Sequence, residues 1–494
     1  MLYSIVYSNG MSSTISGEWI NMFNQLQQFL TNMKPAFSRK ATYRWFVIVF
    51  IGFVVQTDTL GVTSIVRALS LAPENYVRIL HFFHSSAWTV EGLMGLWWRL
   101  LVSGGKAYCH NGRMVLVGDH TKTPKGGRKI PALATLHQDS ETAAKPSFFR
   151  GHHWGCIGLL SRACDKFFAI PLWANIQEGL GDIAHGDEKQ PKTVRIIRMA
   201  QQIATQTGQS AYLILDAYFS VGTVFNAARE KMDGDEQMVH VLARAKKNIV
   251  AYQPAKPGNK PKRGRPRKYG KKLRLMELFE KPTNGHSFRN ADANIYHRTE
   301  SVRYLAVNLM WKPTRGMLRF VLVESSRGRM ILISSDLELD PVAAVELYCR
   351  RVTIETLFDT LKNTTGGMCY HFWSKYLKPV SRRPIRNDKT IRFSSNIKMT
   401  RNTFVAIEKF VNIKLLVIGL LQVTALDQPE KVKAKANCWL RTVTSKIPSE
   451  FVTRIALAKI IKMNLDNLGS NWIMQLIRGK QNTAPNSKDK INAA

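Results

Sequence analysis

Tyr348-Cys-Arg-Arg351-Val-Thr-Ile-Glu355-Thr-Leu-Phe-Asp-Thr-Leu-Lys362 reads as a helix with a polar stripe beside an apolar one. With Tyr348 taken as the origin, Arg351 falls at about 300°, Glu355 at about 340° and Lys362 at about 320°. Leu347, Ile354, Leu357, Phe358 and Leu361 fall between about 180° and about 280°. One flank can pack into a core while its neighbour presents a phenol, a guanidinium, a carboxylate and an ammonium. That set suits metal ions and phosphates, although any amphipathic helix with a solvated face shares the periodicity. Asp359 falls at about 20° on the same stripe, so helix geometry alone does not choose between it and Glu355.

Two further acids stand out upstream. Met114-Val-Leu-Val-Gly-Asp119 and Ala211-Tyr-Leu-Ile-Leu-Asp216 are short apolar runs, each ending in a carboxylate. Buried charge is costly unless paired or metal-bound, so an acid abutting a core strand invites a functional reading. Taken singly, each is more simply a turn-initiating or helix-capping Asp.

The surroundings predict a mixed α/β sheet. Cys156-Ile-Gly-Leu-Leu and Phe167-Phe-Ala-Ile-Pro-Leu-Trp read as strands, 192–206 and 221–231 as helices, and His240-Val-Leu-Ala-Arg as another strand. Strands followed by alternating strand and helix give that class. Further strands are predicted at Val302–Trp311, Phe320–Glu324 and Met330–Ser334, before the helix that starts near Pro341. Residues 1–110 read as helical, with two amphipathic segments split by Leu71-Ala72-Pro73. A helix-turn-helix and any small bundle both look like this. Residues 403–475 return to helical periodicity, and there is no internal repeat.

With 494 residues the chain is long enough for two to four domains. Its 71 Lys plus Arg against 35 Asp plus Glu give a net charge of +36. Such an excess points to a polyanion, most economically nucleic acid, with a membrane surface as the other candidate. The longest apolar run, Trp45 to Val55, is too short for the roughly 20 residues that span a bilayer, so a buried helix is expected. No basic segment followed by an apolar core opens the chain, so no secretory signal is expected. Six cysteines at 109, 156, 164, 349, 369 and 438, with no C-x-x-C pair, fit a reducing cytoplasm better than a zinc ribbon or a disulfide framework. His152-His153 have no second pair at metal-ligand spacing. Two segments, 256–274 and 374–402, are strongly basic, and the first is rich enough in Pro and Gly to be an exposed loop.

The spacing Tyr348-x2-Arg351-x3-Glu355-x6-Lys362 resembles the YREK signature of a group of bacterial insertion-sequence transposases. In that group the Glu is the third carboxylate of a DDE triad on an RNase H-like fold. The resemblance selects Glu355 over Asp359 and joins it to Asp119 and Asp216. It covers roughly 113–375 and departs from a common first-motif pattern at Gly118-Asp119-His120-Thr121. The long interval from Asp216 to Glu355 suits transposases that insert a β-rich domain there. The implied architecture is a helical N-terminal DNA-binding domain (1–110), a catalytic core in two parts (111–248 and 341–375), a basic loop and β-rich insertion (249–340), and a basic linker with a helical C-terminal domain (376–494).

The resemblance also implies roles. Asp119, Asp216 and Glu355 would hold Mg²⁺ or Mn²⁺. Arg351 and Lys362 would grip the phosphate flanking the cut, and Tyr348 would hydrogen-bond a nearby phosphate oxygen. Related transposases stack an unpaired base on a tryptophan of the insertion, which Trp311 could match, whereas core packing is the plainer fate of a Trp in an apolar strand. Lys262-Arg263-Gly264-Arg265-Pro266-Arg267-Lys268 resembles an AT-hook, from which we expect DNA contact without base selectivity. The implied partners are double-stranded DNA, as element ends and target, and a second copy of the chain in a dimeric synaptic complex with 403–475 as candidate interface. A membrane is not among them. The implied location is the bacterial cytoplasm, on the nucleoid when DNA is bound. Two other classes stay open: a non-catalytic DNA-binding protein, and an RNase H-like nuclease that cleaves without joining.

Overall fold

The computed structural model describes residues 10–58, 61–138, 147–164, 166–230, 237–255, 267–282, 287–296, 298–382, 393–436, 445–466 and 471–481. Helices open the chain: α1 (Gly10–Met33), α2 (Lys40–Val55), α3 (Val62–Ala68), α4 (Asn75–His84) and α5 (Val90–Ser103). The apolar run from Trp45 forms most of α2, which is apolar on every side and therefore buried rather than amphipathic. Among the described residues no helix is long and apolar enough to cross a membrane.

Strands and helices then alternate: β1 (Cys109–His110), β2 (Arg113–Pro124), β3 (Ala134–His137), β4 (Phe148–Ala163), β5 (Lys166–Ile176), α6 (Lys192–Thr207), β6 (Ala211–Leu215), α7 (Gly222–Arg229) and β7 (Val239–Arg244). Six more strands follow among the described residues: β8 (Val250–Pro254), β9 (Tyr269–Arg274), β10 (Arg289–Ile295), β11 (Arg298–Trp311), β12 (Gly316–Ser325) and β13 (Gly328–Ser334). The chain then returns to helices: α8 (Pro341–Cys349), α9 (Thr353–Asp359), α10 (Ile397–Asp427), α11 (Pro429–Ala436), α12 (Glu450–Asp466) and α13 (Trp472–Arg478).

At the centre, β2, β6 and β7 run parallel, and β4 lies antiparallel on the far side of β2. The strands after residue 249 do not form a separate sheet. β13 pairs antiparallel with β7, so they continue the central sheet in the order β7-β13-β12-β11-β8-β9.

The flanking helices are fastened to this sheet along the edge that β5 leaves unpaired by strands. β5 pairs with β4, and among the described residues its other edge meets side chains rather than a strand. Trp97 and Trp98 of α5 donate their indole N–H groups to the carbonyls of Pro171 and Leu172 at 2.9 and 2.8 Å. Asn412 of α10 takes the N–H of Ala174 and donates to its carbonyl, as a neighbouring strand would. Unpaired edge groups would otherwise be buried without partners or left as a template for aggregation.

Three expectations change. β2 does not end at Asp119 but continues to Pro124 along β4. The helix of 348–362 is not continuous: a 3-10 turn at Arg350–Val352 separates α8 from α9, and a π turn spans Thr360–Thr364. The first break lies where the Arg350 side chain is drawn to Asn294 and over the Phe167 ring. In the second, the Thr365 N–H bonds the Thr360 carbonyl five residues back at 3.0 Å, and the Thr365 carbonyl takes buried donors from Gln56 and Lys414. Finally, α10, in the segment expected to offer a dimer interface, is buried against β5, α2, α4, α5 and α12, so its surface is already used within the chain.

Candidate active site

The parallel register places the two aspartates together. Val117 lies beside Ile214, and two residues further Asp119 and Asp216 stand side by side, where β6 ends and β2 goes on with β4. Each carboxylate is steadied by the local backbone. Asp119 Oδ1 accepts the His120 N–H at 2.7 Å, and Asp216 Oδ1 accepts the Tyr218 N–H at 3.0 Å as the cap of a short 3-10 turn. Burial, and next the charge of Asp216, push the Asp119 pKa up to about 6, against the opposing pull of Arg351. Burial also raises Asp216, while the Tyr218 N–H works the other way.

Arg351 joins the strand to the helix. It donates from Nη1 to Asp119 Oδ2 at 2.8 Å and from Nη2 to Glu355 Oε1 at 2.7 Å. Burial disfavours its charge, but Asp119, Tyr348 and Glu355 outweigh that and raise its pKa. Glu355 and Arg351 keep the i,i+4 relation despite the break before α9, and 55% of the Glu355 side chain is exposed. Asp359 instead accepts from Asn363 at 2.6 Å, one turn on. Lys362 is half-buried, and with Asp119 and Asp216 it lines a cleft of about 1000 Å³. Burial lowers its pKa and Asp359 partly offsets this. Tyr348 is 7% exposed, with its phenol pKa raised by burial.

Among the described residues no three His, Cys, Asp or Glu side chains are gathered closely enough to hold a metal ion. Arg351 stands between Asp119 and Glu355. The Asp119–Asp216 pair nevertheless fits a hard divalent cation. Two adjacent, partly buried carboxylates with raised pKa values are a set whose repulsion such an ion would relieve, through the oxygen donors it prefers.

The other residues singled out by sequence fare differently. Trp311 is 6% exposed and packs edge-on against Phe225 at 5.7 Å, so its ring is core. Arg267 is exposed, whereas Arg263 and Arg265 lie outside the described residues. His152 is fully buried, bonded to the Tyr370 hydroxyl and the Pro131 carbonyl.

A polar wall that sequence reasoning missed faces the aspartates. Glu178 pairs with His153 at 3.2 Å and with Lys192, whose ammonium lies 5.4 Å from the Tyr218 ring centre. Burial works against the Glu178 charge, but hydrogen bonds from His153 and Lys192 override it and bring the pKa to about 2. Burial pushes His120 down to about 2, with His153 adding to the effect, so its imidazole is neutral. These residues come from five separate places: β2, β4, the loop after β5, the start of α6 and the 3-10 turn after β6.

A mixed sheet that sets two carboxylates side by side on adjacent parallel strands, at a cleft also lined by Lys122, Lys192 and Lys362, has the chemistry of an enzyme acting on phosphodiesters. Residues 32–304, more than half the chain, match the family model for the DDE superfamily endonuclease, and the chain belongs to that family. The matched residues include Asp119 and Asp216 and stop before Glu355. A comparison with curated proteins finds no match. Membership makes this a nuclease-type enzyme with DNA as substrate, in a superfamily that uses divalent metals such as Mg²⁺.

Proposed function

We propose that the chain is an insertion-sequence transposase of the YREK group, which cuts the ends of its own element and joins them to target DNA. The observation that carries this reading is the constellation itself: Asp119 beside Asp216 on adjacent parallel strands, with Glu355 tied to Asp119 through Arg351. The strand order β5-β4-β2-β6-β7, with β4 antiparallel, supports an RNase H-like core. The net charge of +36 supports extensive phosphate contact.

In this reading Asp119 and Asp216 would hold Mg²⁺ or Mn²⁺, and Glu355, now paired to Arg351, would add a ligand from α9. A divalent ion held there would supply an activated oxygen nucleophile and a stabilised leaving oxygen. Lys362 meets the phosphate next to the cut from the cleft wall. Arg351, freed from one carboxylate, meets the same phosphate with a planar fork. Tyr348 is too buried for a broad contact and serves through its hydroxyl alone. Water attack releases a 3′-hydroxyl, and that hydroxyl then attacks target DNA directly, without a covalent enzyme intermediate. Cutting two ends in concert calls for a dimer, assembled through surfaces other than α10.

The deciding experiment supplies pre-cut duplex ends, taken from the DNA flanking the coding region, with a supercoiled target and Mg²⁺. Joined products support a transposase. Cleavage of uncut ends without any joining would leave a hydrolytic endonuclease, and neither activity in folded protein would defeat both readings.

A further inference from the structure

The cleft contains an aromatic side chain that the proposed chemistry does not use. Tyr218 is 46% exposed and lines the cleft together with Asp119, Asp216, Lys192 and Lys362. Its position is fixed from both sides. Its backbone N–H is held by Asp216, and its ring rests on Phe219 and His120 at interplanar angles of 87° and 65°. Neither neighbouring ring stacks on it face to face. An exposed phenol costs little in a loop, but here it stands beside the candidate scissile position on a stiff support. Trp311, the aromatic that the sequence offered for base stacking, is sealed in the core.

We propose that Tyr218 is the surface on which an unpaired nucleobase stacks as a DNA strand enters the cleft, with Lys192 receiving the phosphate of that nucleotide. Bases of any identity present a π face, so such a contact needs no sequence preference. The ammonium of Lys192, 5.4 Å from the ring centre, lies within one nucleotide's reach of it, and Glu178 and His153 hold it there in the free protein. A strand entering the cleft would exchange Glu178 for a phosphate oxygen without moving the lysine far. This assignment rests on the cleft being the DNA site of an endonuclease.

The test uses the full chain in metal-free buffer and oligothymidylate with a single central 2-aminopurine, whose emission falls when the base stacks on an aromatic ring. Wild type and Tyr218→Phe should quench the probe at saturation. Tyr218→Ala should bind about tenfold more weakly and leave the saturated probe bright. Lys192→Ala should keep the quench but lower the slope of log K against log salt by about 0.7, the value for one phosphate of a single strand left without its cation. Trp373→Ala, at an exposed ring that does not line the cleft, should behave as wild type. Equal quenching by wild type and Tyr218→Ala, or a bright probe on saturated wild type, overturns the stacking. Mg²⁺-dependent nicking of plasmid by the same wild-type preparation separates that failure from failure of the endonuclease reading, which would show as no nicking at all.

Discussion

One guanidinium holds two carboxylates that the proposed chemistry assigns to metal: Arg351 bonds Asp119 at 2.8 Å and Glu355 at 2.7 Å. The contact carries charge complementarity from the strand to the helix, so Arg351 both orients Glu355 and opposes, at Asp119, the effect of burial and of the Asp216 charge. Arg351→Ala should lower single-turnover cleavage at saturating Mg²⁺ by at least about tenfold, well beyond its effect on DNA affinity. Arg351→Lys should stay impaired, because a point ammonium does not bridge two acceptors as a planar fork does. Lys362→Ala should share the rate defect. Wild-type rates in all three variants would reduce this stripe to a structural ion pair.

Loss of any one of the three carboxylates should abolish cleavage while leaving DNA binding nearly intact, since they serve metal and a basic surface serves affinity. Asp119→Ala, Asp216→Ala and Glu355→Ala test this, scored by plasmid nicking alongside a gel-shift measurement. Asp359→Ala is the control: it bonds Asn363 away from the aspartates and should stay active. An active Glu355→Ala protein together with an inactive Asp359→Ala protein would transfer the role to Asp359.

The raised pKa of Asp119 makes a signed prediction. Its carboxyl titrates at about 6 when folded, against an ordinary 3.8, so the folded chain keeps this proton longer than the unfolded one. Stability from this group is therefore lost as pH rises from about 4 to about 6, by about 3 kcal/mol, and then stays level. Asp119→Asn should remove that loss, leaving metal-free protein more stable than wild type at pH 7 and similar to it near pH 4. Mg²⁺ competes with the proton, so it should raise the melting temperature of wild type at pH 8, do little at pH 5, and do little to Asp119→Asn at either pH. Thermal melts across this grid decide the matter. A metal response that did not change with pH would remove Asp119 as a ligand.

What sequence made legible, and what it hid, follows from the range of the forces involved. Asp119 and Asp216 were visible because each sits against an apolar run, and strand periodicity is local. Their adjacency was not visible, since it depends on the β2–β6 register across nearly a hundred residues of chain. The wheel placed Arg351 with Glu355 correctly, because an i,i+4 pair survives a short 3-10 turn. It placed Tyr348 on the same open stripe wrongly in degree, because the break at Arg350–Val352 leaves α8 packed inside. Lys192, Glu178 and His153 could not be found from sequence, since no spacing rule links a helix start, the loop after β5 and the middle of β4. Trp311 illustrates the opposite limit. Its strand pattern already favoured the core, and Phe225 is what buries it.

The basic loop offers the last measurement. Arg267 is exposed at the edge of β9, in a stretch with ten Lys or Arg and no acid. If it meets DNA, the interaction is phosphate neutralisation, and its mark is salt dependence rather than geometry. Replacing Arg263, Arg265 and Arg267 by Ala should weaken duplex binding and reduce the slope of log K against log salt by about 0.9 for each phosphate that the loop no longer neutralises. Minor-groove insertion would add a preference, because the groove is narrowest and most negative in A·T tracts. We expect the weakening to fall equally on A·T-rich and G·C-rich duplexes, since a segment of this charge gains most of its affinity from released counterions. A selective weakening on A·T-rich DNA would instead favour AT-hook insertion, and an unchanged slope would show that the loop does not touch DNA.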